Sequence, residues 1–321
     1  MSGSSSVAAV TPPEGVVRLN AQSAFVIRAT ALAVMVVPFA GLIEAVRLIA
    51  IDQFSRTDIV LFGAMYFVHM GGITMGFHRL LAHRSFKTSK FFRAVLTICG
   101  SMGAQGPLLY WAATHRRHHT YSDHPGDPHS PNLIGSDWKS KLRGLWYAHM
   151  PWMLSDEISS VTYYAKDLIG DRQLVFLNRT YLLWALLGLV IPTLVGAYFD
   201  GGLAGAWQGF IFGGLARMFL ANQAAWCVGS VSHMFGSRPF DTQDQSANNW
   251  WVAIFTFGEG LQNNHHAFSW WYRHGAYWWE PDLSGWLLAL FSQLGLVWDL
   301  KKPSSANVER RRKRAVAQAG S

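Results

Sequence analysis

The amino-acid sequence predicts an all-α integral membrane protein with four transmembrane helices in two hairpins and a cytoplasmic helical cap. Of the 321 residues, 50% are hydrophobic and only 14% are charged, whereas roughly 25% of the residues of a soluble domain are charged. The 15 Trp and 20 Phe suit the aromatic belts of a membrane protein. The mean hydropathy is only +0.13, which indicates that a large part of the chain lies in water.

Four apolar segments are long enough to cross a bilayer, which takes about 20 residues. They span residues 24–49, 59–77, 180–199 and 201–233. The short turns inside the two hairpins hold one basic residue, Arg56, whereas residues 79–172 hold 12 Lys and Arg and the chain after His233 holds nine. The positive-inside rule therefore predicts that both termini and the central segment are cytoplasmic. The net charge of +8 has the same explanation, and we expect no nucleic-acid partner.

The rest of the chain is divided by composition. Residues 1–23, rich in Ser, Ala and Pro, are predicted to be a disordered tail, residues 24–302 the membrane domain, and residues 303–321 a basic disordered tail near anionic lipid. Residues 94–111 form an uncharged run, but its glycines and Pro107 disfavour a straight helix. We expect a helix in the interface or buried against the others. An apolar stripe over residues 283–297 predicts core packing.

Histidines in short motifs are the candidate functional residues. T-H-R-R-H-H-T-Y-S-D contains three of them at spacings of three and four, which share one face of a helix. F-H-R-L-L-A-H-R, S-V-S-H-M-F and Q-N-N-H-H contribute the others. The eight candidate ligands are His78, His83, His115, His118, His119, His233, His265 and His266.

Eight imidazoles exceed the needs of one ion and indicate a two-metal site within the cap. Imidazole suits zinc, copper, iron and nickel, so the motifs leave the metal open. His78 and His83 are five residues apart, about 140° around an α-helix, so either the helix ends between them or they serve different ions. Gln262 precedes His265 and His266 at the same spacing as in the central motif and is a ninth candidate ligand.

The motifs H-R-L-L-A-H-R, H-R-R-H-H-T-Y-S-D, S-V-S-H-M-F-G and G-E-G-L-Q-N-N-H-H-A-F resemble those of the membrane fatty acyl desaturases. The resemblance is greatest to the acyl-CoA Δ9 (stearoyl-CoA) desaturase branch and runs from about residue 60 to Lys302. It implies two irons, cycling between Fe(II) and Fe(III), that activate dioxygen to introduce a cis double bond into a saturated acyl chain. No catalytic residue beyond the metal site is implied. The implied partners are acyl-CoA, or else an acyl lipid, together with dioxygen, membrane lipid and a separate electron donor, either ferredoxin-like or a cytochrome.

The chain departs from the acyl-CoA branch at two positions. That branch usually has histidine where Gln262 stands, and an asparagine that holds an iron-bound water where Gly229 stands. These departures affect the ligand set and the position of the double bond more than the class of reaction. Nearby residues are candidates for holding ligands or contacting substrate: Asn263, Asn264, Glu259, His124, His129, Phe67 and Thr74.

Several other residues have predicted roles around the implied acyl tunnel. Thr74 and Phe67 share an α-helical face with His78, and Phe67 is expected to limit the depth of the tunnel. Trp111 and Trp226 are expected in the core and could line the same tunnel. His69 is expected to hydrogen-bond a neighbouring helix, and His149 and His274 are expected to be structural or interfacial.

Two other functions remain open on the sequence alone. One is a hydroxylase or ketolase of the same di-iron superfamily, which would yield an oxygenated product. The other is a membrane metal-binding or transport protein. Transporters usually place their ligands at mid-membrane between internal repeats, whereas these motifs are predicted at one membrane face and the sequence has no evident repeat.

Overall fold

A computed structural model describes residues 13–319, and their side chains as far as residue 312. The α-helices of the first half are α1 Ala21–Ala50, α2 Arg56–Gly71, α3 Lys90–Ser101, α4 Leu108–Tyr121, α5 Trp138–His149, α6 Val161–Tyr164, α7 Lys166–Ile169 and α8 Arg172–Arg179. Those of the second half are α9 Tyr181–Gly196, α10 Gly202–Gly209, α11 Arg217–Gly229, α12 Trp250–Phe255, α13 Gln262–Ala267, α14 Leu283–Gln293 and α15 Ser305–Ala319. Gly72–Ala82, Ala197–Gly201 and Phe210–Ala216 are π-helical, and Pro151–Leu154 and Val231–His233 are 3₁₀-helical. Two small antiparallel sheets pair β1 Val16–Arg18 with β3 Glu157–Ser159, and β2 Lys87–Thr88 with β4 Val297–Trp298.

Three helical runs of the described chain are long and apolar enough to cross a membrane: Ala21–Ala50, Arg56–Ala82 and Tyr181–His233. In their most apolar windows only 11% of the first run and 17% of the third are buried by the rest of the protein. Apolar helices with so much uncovered surface are stable in lipid, where their backbone groups are satisfied internally. The protein is therefore an integral membrane protein.

The third run reverses direction at Gly201 and Gly202, whose φ angles are +82° and +58°. Glycine adopts this left-handed region without steric cost. Beyond the turn, α10 returns against α9, and Gly196 and Gly205 are so close that a Cβ on either would collide with the backbone of the other. The chain thus turns back on itself between α9 and α10, near the boundary that the sequence predicts between its third and fourth apolar segments.

Arg217, in α11, ties several helices together inside the apolar bundle. Its side chain is fully buried, and it donates hydrogen bonds to Gly188 O (2.7 Å), Met102 O (3.3 Å) and His69 Nδ1 (3.2 Å). The prediction that His69 hydrogen-bonds a neighbouring helix is confirmed. Polar side chains are retained within apolar bundles when such partners satisfy them.

The π-helical segment Gly72–Ala82 continues α2 into the main hydrophobic core. α3 crosses it closely, because Gly72 faces the backbone of Gly100 without side chains between them. The His83 N–H donates to His78 O at 3.1 Å, the i to i+5 bond that defines a π-helix. Residues five apart consequently lie on the same side of this segment. Of the two alternatives predicted for this pair, the helix does end between them, because the segment ends at Ala82 and His83 is its C-cap residue.

Three other regions differ from the predictions. The predicted tail over residues 1–23 contains β1 and the start of α1, although residues 1–12 lie outside the described residues. β1 forms through pairing with β3, more than 130 residues away in the sequence, which local composition does not reveal. The predicted C-terminal tail contains α15, whose Arg- and Ala-rich sequence has high helix propensity. The run over residues 94–111 is divided between α3 and α4.

The apolar stripe predicted over residues 283–297 is only partly buried. Trp286, Leu290 and Leu294 on this stripe are 50%, 47% and 63% exposed, while Leu288, off the stripe, is fully buried. The other three members meet the core, since Leu283 and Leu287 pack against buried clusters and Val297 is buried. The predicted core packing therefore holds for half of the stripe, and the other half faces outwards.

Candidate metal centre

Five of the predicted histidines form a first cluster where α4 and α13 meet the end of the π-helical segment. Its members are His78, His83, His115, His119 and His265, and one ring nitrogen of each lies within 4.8 Å of the others. The Nε2 atom of His265 is 3.1 Å from that of His78 and 2.9 Å from that of His119. The Nε2 atoms of His83 and His115 are 2.7 Å apart. Nitrogens that converge this closely could share a bound cation.

The remaining three predicted histidines, His118, His233 and His266, form a second cluster directly beside the first. The rings of His119 and His266 join the two clusters, with centroids 4.4 Å apart. The Nε2 atoms of His233 and His266 are buried and have no hydrogen-bond partner. The structure therefore brings all eight predicted histidines together, divided five and three.

Carboxylates hold the outer nitrogens of the second cluster. Asp127 lies 3.0 Å from His118 Nδ1, Asp123 2.9 Å from His233 Nδ1, and Asp244 2.7 Å from His266 Nδ1. We call Asp127, Asp123 and Asp244 the outer aspartates. A carboxylate on one ring nitrogen orients the histidine and directs the other nitrogen at a metal. The sequence prediction missed all three, although Asp123 is the last residue of the central motif and Asp127 lies four residues after it.

Most of the imidazoles are held neutral, as metal ligands must be. Burial lowers the pKa of His83, His115, His119 and His265 well below its usual value, and neighbouring histidines lower it further. His118 is different, because nearby aspartates outweigh the effect of burial and raise its pKa. The outer aspartates themselves have lowered pKa values despite their burial, mainly because of the histidines that they contact. Buried, mostly neutral imidazoles with unpartnered nitrogens fit two transition-metal ions.

Glu259 organises the outer side of the first cluster. One carboxylate oxygen contacts His78 Nδ1, and the other accepts hydrogen bonds from Arg79 Nη2 (3.1 Å) and Nε (3.3 Å). Arg79 is fully buried and also binds Asp282 at 2.8 Å. The sequence proposed Glu259 as a group that holds a ligand, and its contact with His78 suits that role.

His274 lies beside the first cluster, although the sequence suggested a structural or interfacial position. Its ring centroid is 4.4 Å from that of His265 and 5.2 Å from that of His78. The side chain is buried, and neither ring nitrogen has a hydrogen-bond partner. His274 belongs to no histidine-rich motif, so local spacing could not identify it.

Gln262 begins α13 and is almost fully buried. Its Nε2 atom donates to Glu259 O at 3.1 Å, which leaves Oε1 buried and unpartnered. His266 follows four residues later on the same helical face. An unpartnered amide oxygen beside the clusters is available to a metal.

Three other residues that the sequence proposed around the ligands, Asn263, Asn264 and His124, do not contact the ring nitrogens of either cluster. Asn263 binds the Phe240 backbone and Thr242, while Asn264 binds Asn248, Glu280 and the His274 carbonyl oxygen, so neither holds a ring nitrogen. These amides fix the loop around α13, because their positions on the helix point away from the clusters. His124 is exposed and joins neither cluster.

His129 is the loop histidine that lies against a cluster. Its ring stacks on His118, with centroids 4.4 Å apart. Burial and the neighbouring histidines His118 and His233 lower its pKa to about 3. The loop therefore presents a neutral imidazole beside the second cluster.

A cavity of about 430 Å³ opens onto both clusters. Its wall is mainly apolar and includes residues of α1, α2, α4, α11, α13, the first π-helical segment and the 3₁₀-helical turn that ends at His233: Ile27, Val34, Met70, Ile73, Thr74, Trp111, Trp226, His78, His118, His233 and Gln262. Trp111 stacks on His115 at 5.1 Å, and both tryptophans line the cavity as the sequence allowed. A long apolar ligand could reach the histidines through this space.

Phe67 does not line this cavity and therefore cannot limit its depth. It packs against Phe257 and is 45% exposed. The π-helical turns between Phe67 and His78 change the helical register, so residues that would share a face in an α-helix diverge. Thr74 does line the cavity, and its Oγ1 is 2.7 Å from Ser284 Oγ.

Comparison with known proteins identifies the family. The family model for fatty acid desaturases matches residues 59–282. The chain is 46% identical to the hex-5-enoyl-(acyl-carrier protein) acetylenase of Moorena producens (strain JHB), over 85% of this chain and 86% of the relative. It is 36% identical to the sn-1 stearoyl-lipid 9-desaturase of Anabaena variabilis, over 78% and 86%. It is 37% identical to acyl-CoA desaturase 1 of Saccharomyces cerevisiae (strain ATCC 204508 / S288c), over 78% of this chain and 48% of the relative. The chain thus belongs to the fatty acid desaturase family, whose members are oxidoreductases that act on acyl chains.

Proposed function

We propose that the protein is an oxygen-dependent desaturase that introduces a cis double bond, at Δ9, into a saturated acyl chain. The observation that carries the proposal is the juxtaposition of two buried histidine clusters and one apolar cavity. The motifs favour acyl-CoA as the substrate, with an acyl lipid as the alternative. Relatives named for acyl-CoA, for stearoyl-lipid and for an acyl-carrier protein substrate support a fatty acyl chain in general.

Two irons are the metals that we propose. The first would be held by the five histidines of the first cluster, and the second by His118, His233, His266 and Gln262. Bound there, iron would supply the activation of dioxygen that removes hydrogen from an unactivated methylene. Imidazole suits both oxidation states of iron, and the buried, largely neutral rings meet the requirement for deprotonated ligands.

The protein's own residues would orient the substrate and exclude water. The apolar wall would hold an extended acyl chain, while Trp111, stacked on His115, borders the space next to the clusters. Positioning of this kind selects which carbons react. The reaction removes one hydrogen from each of two adjacent carbons and reduces dioxygen to two waters. It therefore consumes two further electrons and two protons, and we propose that a separate ferredoxin-like protein or cytochrome donates the electrons.

We further propose that the chain crosses the membrane four times, with both termini and the clusters on the cytoplasmic side. The helical hairpin turning at Gly201 and Gly202 supports two crossings within the third apolar run. The excess of Lys and Arg in the central and C-terminal segments supports the orientation. Accessibility of single cysteines introduced at Ser140 and Gly201 would test it, since only the first should be labelled from the cytoplasm.

The experiment that tests the function is lipid analysis of cells that express the chain. We expect new monounsaturated acyl chains, with the double bond located by mass spectrometry of derivatised methyl esters. A His115→Ala variant that is expressed at the same level should yield none. A hydroxylated or keto product would contradict the proposed reaction. An alkyne would instead indicate an acetylenase, a second candidate favoured by the 46% identical relative.

A further inference from the structure

The second cluster has fewer imidazoles than the first, and one side of it faces the cavity. Its three outer nitrogens are already bound to the outer aspartates, so the Nε2 atoms are the ones that could meet a metal. His118, His233 and Gln262 all contribute to the cavity wall. A small molecule bound to the second metal from the cavity would therefore approach between these side chains.

His129 lies on this side of the cluster. Its ring stacks on His118 with an interplanar angle of 25°, packs against Trp152 and lines the cavity. Its backbone N–H donates to Asp127 Oδ1 at 3.0 Å, so the carboxylate that orients His118 also fixes His129. The Nδ1 atom of His129 is buried and has no hydrogen-bond partner.

Gly229 provides the space that the His129 ring occupies. A Cβ at residue 229 would lie 3.0 Å from His129 Nδ1 and 3.1 Å from Cε1, so even one added carbon would require the ring to shift, and a longer side chain would crowd it further. Residue 229 is one helical turn before His233, on the helix that leads to the second cluster. The polar group next to this cluster thus comes from the loop after α4 and not from α11.

Packing alone does not explain an imidazole at this position. Leucine would fill the same space without burying a ring nitrogen, and an unpartnered buried polar atom is costly. His129 is absent from the group formed by His118, His233 and His266, although it forms another possible metal-binding group with His118 and Asp127. Direct coordination of the metal in the second cluster is disfavoured because the stacked rings of His118 and His129 place their lone pairs side by side. A hydrogen bond from His129 to a small molecule bound at the second cluster accounts for the buried ring nitrogen without direct coordination.

We propose that His129 is a positioning residue, whose Nδ1 hydrogen-bonds the water or other small ligand on the cavity side of the metal held by His118, His233 and His266. The inference rests on the proposed function only in that it requires a metal at the second cluster. It assigns to His129 and Gly229 a joint role. The loop supplies the imidazole, and the helix leaves room for it.

The test is azide binding to the full-length, iron(III)-loaded protein, followed by its absorption spectrum. We expect His129→Leu to weaken azide binding by about tenfold, the loss of one hydrogen bond to an anion. His129→Gln should restore most of the affinity, because its amide can donate at a similar position. The exposed His124, on the same loop, offers a matched control, and His124→Ala should bind azide as the unaltered protein does. Iron content should be two per chain in every variant.

A second pair of variants tests whether a polar side chain at residue 229 can replace the imidazole of His129. Gly229→Asn alone should disturb the site, because the new side chain meets His129. Gly229→Asn combined with His129→Ala should recover azide binding, since an amide then occupies the vacated space.

Three results would overturn the proposal. They are an unaltered azide affinity in His129→Leu, an azide affinity of His129→Gln no higher than that of His129→Leu, or loss of iron from both His129→Leu and His129→Gln. Azide binding requires no acyl substrate, so these results are distinguishable from a failure of the proposed reaction, which would appear only in the lipid analysis.

Discussion

Asp244 offers a direct test of whether the two clusters are separate metal sites. Its Oδ2 atom is 2.7 Å from His266 Nδ1, and its Oδ1 atom accepts hydrogen bonds from Ser246, which fixes the carboxylate. Burial lowers the pKa of His266 to about 4 even though Asp244 opposes this effect. His266 is therefore a neutral imidazole whose orientation depends on one carboxylate.

Replacing Asp244 should weaken one metal site and leave the other. Loss of a carboxylate that orients a ligating histidine typically costs about 10- to 100-fold in metal affinity, or about 1.4–2.8 kcal/mol. Asp244→Asn keeps an oxygen that can accept from Nδ1–H and should lie at the lower end, while Asp244→Ala should lie at the upper end. The first cluster should be unaffected, because none of its five histidines hydrogen-bonds Asp244 in the described structure.

The assay is metal content after dialysis against increasing concentrations of chelator. The unaltered protein should retain two metals over the range in which the Asp244 variants retain one. Asp241→Asn is the matched control, since Asp241 lies on the same loop and belongs to neither cluster. Retention of both metals by Asp244→Ala at the concentrations tolerated by the unaltered protein would refute the reasoning. Simultaneous release of both metals would show that the clusters are not independent.

Three further predictions follow from other parts of the site. Gln262→Ala should lower the metal content towards one per chain and reduce the desaturation rate about 10- to 100-fold. Gln262→His should keep both metals. A normal metal content and turnover in Gln262→Ala would exclude Gln262 from the site. Val34→Phe, which adds volume to the cavity wall, should lower turnover by up to about 100-fold, since misplacing a reacting carbon by about 1 Å can cost that much. Phe67→Ala is its control and should leave the chain-length profile of the products unchanged, so a shifted profile would contradict the observed cavity. In the metal-free protein the buried histidines with a lowered pKa, such as His83 and His266, cost stability as the pH falls below about 6.5, and the outer aspartates, whose pKa values are also lowered, add to the loss below about pH 4. The melting temperature should therefore fall on acidification from about pH 6.5 and continue to fall below about pH 4, and a constant value would contradict it.

Glu259 and Arg79 explain how the first cluster remains ordered although its histidines lie on several helices. The Arg79 guanidinium is fully buried and is neutralised by Glu259 and Asp282, while Glu259 in turn contacts His78. Removal of one partner from a buried ionic network leaves an uncompensated charge. The network therefore links the π-helical segment to the segment before α13, and through it two motifs almost 200 residues apart in the sequence.

The sequence alone was sufficient to select eight histidines that the structure brings together and to indicate the class of protein. Spacings of three and four place His115, His118 and His119 on one helical face through local geometry alone. Long apolar runs are likewise a local property, so the membrane helices and the turn near Gly201 could be predicted. The order of four motifs indicated the desaturase family, which the comparisons confirm.

Only the tertiary structure decided how these residues are combined. The π-helical turns place His78 and His83 together and remove Phe67 from the cavity, because a change of helical register depends on packing against α3 and not on residue spacing. The outer aspartates and His274 reach the clusters from loops that carry no periodic signal. β1 likewise exists only through its pairing with β3. Each of these features depends on contacts between distant parts of the chain, and such contacts leave no regular spacing in the sequence from which they could be predicted.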